Sequence, residues 1–248
     1  TEPTSLDGSR LVSALMGAAT YAATEDSRPV LTCVMVELGD TITVTATDGF
    51  RLSTQELPLN WPSPLKLKHL ILIPRKAVLA LGKVWAVATK KQATEMQVRL
   101  GESQISFQFG DVTVVSQLLT GTFPNYRTLI PGEPEAQVTF DAETAFKAVK
   151  TLESIAKDGS GVVRVEWDSN LMNLSSKSEK KGYTTTTMVV DSHGNPGHIA
   201  FNVEYLIEYL KGKCGLVKME TTDPTSRTKF VHGDGPIVVI MPMFVRWD

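Results

Sequence analysis

The sequence is poor in cysteine, in aromatic residues (7%) and in long apolar runs. Its two cysteines, Cys33 and Cys214, lie far apart and in no CxxC pair, which argues against a disulfide framework and against a thiolate metal site. No apolar run approaches the roughly 20 residues that a membrane span needs, and residues 1–9 lack the apolar core of a signal peptide. We therefore expect a protein of the reducing cytoplasm.

The chain also lacks a strong excess of positive or negative charge. Residues 1–131 hold 12 Lys and Arg against 11 Asp and Glu, and residues 132–248 hold 13 against 16. A strongly basic composition is typical of proteins that bind nucleic acids, and the formal net charge here is -2. Nucleic-acid binding would therefore require cations that cluster locally.

Motifs of catalysis are missing as well. The chain has no HExxH, GxxxxGK[ST], GxGxxG or GxSxG pattern. Of its four histidines only His193 and His198 lie close in sequence, in a Gly- and Pro-rich stretch that is typical of a solvated loop. We expect no enzyme, no metal site and no cofactor. A hydrolase or transferase stays an alternative, because sequence alone does not show which carboxylates pair in space.

The same order of predicted elements occurs twice along the chain: helix, strands, helix, strands. The first copy begins with an apolar stripe at helical spacing, formed by Leu11, Leu15, Ala18, Ala19 and Ala22. A strand over residues 41–46 follows, then a helix with Pro74 at its first position, then three β runs between residues 96 and 119.

The second copy begins at Asp141, a good N-cap for a helix whose apolar stripe is Phe146, Val149, Leu152 and Ile155. Three strands, a helix from Asn202 and three more strands follow. The segment LIPGEPEAQ, residues 129–137, has the composition of a linker. We predict an α+β fold of two domains, 1–131 and 132–248, each with two helices packed on antiparallel sheets.

The predicted helices carry clustered cations. Solvated helix faces explain such lysines without any function. The alternative is a helix-lined basic surface that contacts phosphates without reading bases. For that surface the candidates are Arg75, Lys76, Lys83, Lys147, Lys150 and Lys211.

Three further stretches are specific: ATDGFRL (residues 46–52), FPNYRTLIP (123–131) and VVIMPMFV (238–245). Together they resemble the bacterial replicative sliding clamps, the beta subunits of DNA polymerase III, in which the matching stretches read approximately ATDGHRL, FPDYRRVLP and VVMPMRL. IPRKAV and FNVEYL also resemble the starts of family helices. The resemblance runs from about Ser5 to the end of the chain, and it covers the second and third of the family's three domains.

The resemblance implies a DNA clamp fold, in which domains join head to tail into a ring whose helices surround duplex DNA. It implies a processivity factor that binds DNA without sequence specificity, near the nucleoid in the bacterial cytoplasm. Its partners would be DNA polymerase, the clamp loader and repair proteins, bound through short linear motifs.

The sequence leaves two alternatives open. The chain is either a fragment or a two-domain protein, expected to be a monomer in the first case and able to form a three-copy ring in the second. In function, the alternative is a clamp-derived module that binds peptides and does not encircle DNA.

The resemblance also implies a hydrophobic pocket for those linear motifs. The matching positions are Leu31, Thr47, Gly49, Phe50, Arg51, Leu52, Pro124, Thr128, Leu129, Tyr205, Val239, Met241, Pro242 and Met243. Phe50 stands where the family usually has His, and Thr128 and Phe244 stand where it usually has Arg. The chain continues past the usual family end as Arg246, Trp247 and Asp248. We therefore expect a less basic pocket rim.

Overall fold

The computed structural model describes residues 2–25, 27–59, 69–89 and 95–246. The chain divides into two compact units, Thr1–Asn125 and Tyr126–Asp248.

The first unit alternates strands with two helices. Its helices are α1 (Gly8–Ala19) and α2 (Arg75–Thr89), and a short 3-10 helix covers Pro29–Thr32. Its strands are β1 (Thr4–Asp7), β2 (Cys33–Leu38), β3 (Ile42–Thr47), β4 (Arg51–Leu57), β5 (His69–Pro74), β6 (Glu95–Leu100), β7 (Gln104–Phe109) and β8 (Val112–Gln117).

These strands form two antiparallel groups, in the orders β4-β3-β2-β5 and β1-β6-β7-β8. The two helices pack against each other, and α1 also packs on β2, β3 and β4. Leu11, Leu15, Ala18 and Ala19 are buried on α1, which confirms the predicted apolar face, whereas Ala22 is buried but lies beyond the end of the helix at Ala19. Gly8 lets the helices approach, because a Cβ there would lie 2.3 Å from the Trp85 ring of α2.

The second unit repeats this plan. Its helices are α3 (Ala142–Asp158) and α4 (Val203–Leu210), and a 3-10 helix covers Tyr126–Leu129. Its strands are β9 (Ala136–Asp141), β10 (Val162–Asp168), β11 (Leu171–Ser178), β12 (Gly182–Val189), β13 (Asp191–Gly194), β14 (Gly197–Asn202), β15 (Leu216–Thr221), β16 (Thr228–Val231) and β17 (Ile237–Ile240).

Antiparallel pairing gives the orders β12-β11-β10-β14 and β13-β9-β15-β16-β17. Each helix begins at a capping side chain: Asp141 accepts the N–H of Thr144 at 2.8 Å, and Asn202 accepts that of Glu204 at 2.8 Å. These bonds satisfy N–H groups that a helix start leaves without a partner. They confirm the predicted N-cap of α3.

The predicted α+β fold is therefore confirmed, with two helices and antiparallel sheets in each described unit. Several local expectations differ from the structure. Pro74 ends β5, opposite Cys33 of β2, and α2 begins one residue later. β2 itself was not predicted, because all six of its residues are buried and the alternation of apolar and polar residues that marks a strand is absent.

Candidate peptide-binding and DNA-binding surfaces

The turn between β3 and β4 is held by the Asp48 carboxylate. Its Oδ1 accepts the backbone N–H groups of Phe50 at 2.9 Å and of Arg51 at 2.7 Å. Thr47 adds a second bond across the turn, since its Oγ1 donates to the Arg51 carbonyl at 2.6 Å. Gly49 has a φ of +94°, which an L side chain would strain. The Asp-Gly pair therefore forms a tight turn that is fixed at both ends.

Arg51 stabilises this turn. Its Nε lies 3.0 Å from Asp48 Oδ2, and its guanidinium carbon lies 5.3 Å from the centre of the Tyr21 ring. The side chain is only 9% exposed. The contact with Tyr21 anchors the turn to the body of the first unit, since Tyr21 lies just after the end of α1.

Phe50 is the apolar side chain that the turn presents to solvent. It is 63% exposed, whereas Leu52, Leu31 and Thr47 are buried. Pro124 is exposed. An exposed aromatic ring on a rigid backbone can bind an apolar ligand at low entropic cost. The unit-1 half of the predicted pocket thus consists of one exposed aromatic ring, one exposed proline and several buried supporting residues.

The unit-2 residues of the predicted pocket belong to three segments. Thr128 is exposed and Leu129 half-buried in the 3-10 helix, and Tyr205 is half-buried on α4. Val239 is buried on β17, and Met241, Pro242 and Met243 are half-buried in the segment that follows it.

This last segment is held to the rest of unit 2 by its backbone. The Met243 N–H donates to the Ala200 carbonyl at 2.7 Å, and Arg164 Nη2 donates to the Arg246 carbonyl at 2.7 Å. Phe244 is 90% exposed between these two bonds. The combination of the unit-1 and unit-2 residues into one pocket stays a prediction.

The candidate DNA-binding cations differ in their surroundings. Lys76, Lys83 and Lys211 are exposed and form no ion pair with any residue that the structure describes. Arg75 instead donates its Nε–H to the Ala19 carbonyl at 2.9 Å, at the end of α1. Arg75 therefore has a structural partner, and the other three are accessible to a ligand.

On α3 an acidic residue offsets part of the positive charge. Lys147 and Lys150 are exposed, but Lys150 pairs with Glu153, and Lys157 lies 2.9 Å from Glu153 and 3.4 Å from Glu204 of α4. Hydrogen bonds from Lys150 and Lys157 lower the pKa of Glu153, so this carboxyl stays ionised at neutral pH. The α3 surface is therefore less positive than its lysines alone imply.

Sequence reasoning missed Tyr21, whose ring lies against Arg51. The bonds to Asp48 are those that an Asp-Gly pair predicts, since an Asp side chain accepts hydrogen bonds from the backbone just after it. Tyr21 had no signal, because nothing in sequence links it to Arg51, which lies 30 positions away.

The described residues contain neither a group of metal ligands nor a helix that could span a membrane. Across residues 2–25, 27–59, 69–89 and 95–246, no three His, Cys, Asp or Glu side chains group closely enough to hold a metal ion. None of the helices in that part of the chain has the length and apolar character needed to span a bilayer.

Comparisons of sequence cover nearly all of the chain. Residues 5–125 match the family model for the DNA polymerase III beta subunit, central domain, and residues 127–243 match that for its C-terminal domain. The beta sliding clamp of Escherichia coli K12 is 25% identical over 225 residues, which are 89% of this chain and 60% of that protein. The beta sliding clamp of Caulobacter vibrioides NA1000 is 28% identical over 235 residues, 90% of this chain and 60% of that protein. The chain thus spans about 60% of the length of these curated relatives.

Comparisons of structure agree. The DNA polymerase III beta subunit of Thermotoga maritima superimposes with a TM-score of 0.90 over 99% of this chain and 66% of its own, at 24% identity. A DNA polymerase sliding clamp of Pseudomonas aeruginosa, crystallised with a ligand, gives a TM-score of 0.89 over 98% of this chain and 66% of its own, at 25% identity. Both likenesses support the clamp fold for each repeat.

Proposed function

The chain belongs to the DNA polymerase III beta subunit family, and we propose that it works as a sliding-clamp subunit or a fragment of one. In this proposal it binds the phosphate backbone of duplex DNA without sequence specificity. It tethers DNA polymerase, the clamp loader and repair proteins through short linear motifs, in the bacterial cytoplasm close to the nucleoid.

One observation carries the proposal: the ring of Phe50 is 63% exposed on a turn that Asp48 and Arg51 hold in place. A large apolar side chain in water costs free energy, and here the backbone beneath it is rigid. Such an anchor suits a ligand that brings its own apolar side chains.

We propose that Phe50 and Pro124 act together with Leu129, Met241 and Met243 in one pocket, as the family resemblance implies. Methionine adapts its shape to different ligands, which suits several partners that share a short motif. Burial of two large apolar ligand side chains would contribute about 3–6 kcal/mol before ordering costs, which is compatible with micromolar affinity.

The experiment is calorimetric titration with a peptide that carries Gln and two or three large apolar residues. Phe50→Ala should weaken binding about tenfold, since it removes the exposed anchor. Tyr183→Ala is the matched control, because Tyr183 is also 63% exposed on the strand that follows a tight turn, but in unit 2 and outside the proposed pocket. Equal losses in both variants, or none in either, would contradict the proposal.

The proposal is non-catalytic. Purified protein should neither hydrolyse nucleotides nor cleave DNA. Turnover that survives purification and disappears on mutation of one carboxylate or histidine would overturn it.

A specific observation favours the second candidate, a peptide-binding module that does not encircle DNA. Lys150 pairs with the Glu153 carboxylate, which weakens the attraction of this lysine for phosphate. A fluorescence titration with two duplex sequences at two salt concentrations distinguishes the clamp from the peptide-binding module. Weak, salt-sensitive and sequence-indifferent binding supports the clamp, and absence of binding supports the module.

A further inference from the structure

The hairpin between β11 and β12 brings lysines to the exposed face of α3. Its tip, residues 178–182, is a tight turn in which Ser178 Oγ accepts the Lys181 N–H at 2.8 Å and Gly182 has a φ of +77°. From this tip Lys181 Nζ donates to the Ser154 hydroxyl at 2.9 Å and to the Ser154 carbonyl at 3.2 Å. The hairpin tip is therefore docked on the last turns of α3.

Ser154 lies within a row of lysines on that helix. Positions 147, 150, 154 and 157 share one face, because residues three and four apart are neighbours on a helix. All but Ser154 are lysines, and all are exposed. At 1.5 Å per residue the row is about 15 Å long, slightly more than the major groove of duplex DNA, which is about 12 Å wide.

The hairpin adds cations to this row. Glu153 offsets Lys150 and Lys157. The partners that hold Lys181, a hydroxyl and a carbonyl, are uncharged, so they orient its ammonium group without neutralising it. Lys180 beside it is exposed and forms no ion pair with the residues that the structure describes.

We infer that Lys180 and Lys181 of the β11–β12 hairpin form a second phosphate-binding site, which extends the α3 row along the backbone of duplex DNA. This inference rests on the proposed function, but it assigns the contact to a hairpin of the sheet instead of the helices. An ammonium group fixed by neutral acceptors binds an anion with less loss of side-chain freedom than a lysine that moves freely.

The test is fluorescence anisotropy of a labelled duplex at several salt concentrations between 50 and 200 mM. The double variant Lys180→Ala and Lys181→Ala should reduce the slope of log K against log salt by about 2, since each phosphate contact contributes about 0.9. The charge-conserving double variant Lys180→Arg and Lys181→Arg should keep the wild-type slope. Arg227→Ala, which removes an exposed cation elsewhere in unit 2, should keep it as well.

Lys181 also ties the hairpin to α3, so its loss could loosen the structure. Lys180→Ala alone avoids this ambiguity and should lower the slope by about 1. Glu179→Gln, which removes the carboxylate at the tip, should strengthen binding. If the wild-type chain binds DNA and both lysine-to-alanine variants keep its slope of log K against log salt, this inference is wrong and the proposed function stands. A wild-type chain without salt-dependent binding would overturn both.

Discussion

Replacement of Asp48 should destabilise the first unit far more than an ordinary turn substitution. The carboxylate accepts two backbone N–H groups and pairs with Arg51 at 3.0 Å, with side-chain exposures of 9% for Arg51 and 15% for Asp48. A hydrogen bond to a charged group contributes about 1.5–3 kcal/mol. Loss of one partner of a buried ion pair costs about 3–5 kcal/mol.

These contributions overlap, and Arg51 keeps its contact with Tyr21. We therefore expect Asp48→Ala to lower the free energy of unfolding of this unit by about 3–5 kcal/mol. Asp48→Asn keeps one acceptor oxygen and loses the charge, so about 1–2 kcal/mol is expected. Asp40→Ala, in the exposed turn between β2 and β3, is the control and should change stability by less than about 0.5 kcal/mol.

The assay is urea titration followed by hydrogen exchange of the segment Ile42–Leu57, which reports on this unit without assuming that both units unfold together. The order of stability should be wild type, then Asn, then Ala. If Asp48→Ala were no more costly than Asp40→Ala, the carboxylate would not hold the turn, and the reasoning about Phe50 would lose its support.

Three further predictions concern other parts of the chain. Met243→Ala should weaken peptide binding about tenfold and change the unfolding temperature little, because Met243 is half-buried and its backbone bond to Ala200 survives; calorimetry and thermal unfolding measure both, and the reverse pattern would make it a core residue. Glu153→Gln should strengthen duplex binding at low salt, because it releases Lys150 and Lys157; unchanged affinity in anisotropy would exclude α3 from the interface. Hydrogen bonds from Ser226 and Thr225 lower the pKa of Asp223 from 3.8 to about 2. The contribution of Asp223 to stability is therefore complete above about pH 4 and is lost as the pH falls towards 2. The difference in unfolding temperature between wild type and Asp223→Asn should shrink over that interval, and a constant difference would refute this assignment.

The sequence predicted most of the architecture because the spacing of apolar residues and the capping of helices are local signals. The α1 stripe and the Asp141 cap could be read from neighbouring residues, and both are found in the structure. β2 could not be predicted in this way, because a strand buried on both faces lacks the alternation of apolar and polar residues.

The candidate sites were less accessible to sequence reasoning. The positions of the pocket came from resemblance, which names residues but not their exposure; it could not show that Phe50 faces solvent while Leu52 is buried. The candidate lysines alone overestimate the positive charge of α3, because Glu153 pairs with Lys150 and Lys157, and Lys157 also pairs with Glu204 of α4, which is distant in sequence.

The most direct test of the tethering claim is whether one chain holds a partner peptide on DNA. Duplex DNA is fixed to a biosensor, and the labelled peptide is added with and without the chain at low salt. The account predicts a peptide signal only in the presence of the chain, in proportion to the chain bound, and reduced in Phe50→Ala. A peptide that binds the free chain but never accumulates on the DNA-bound chain would contradict the account.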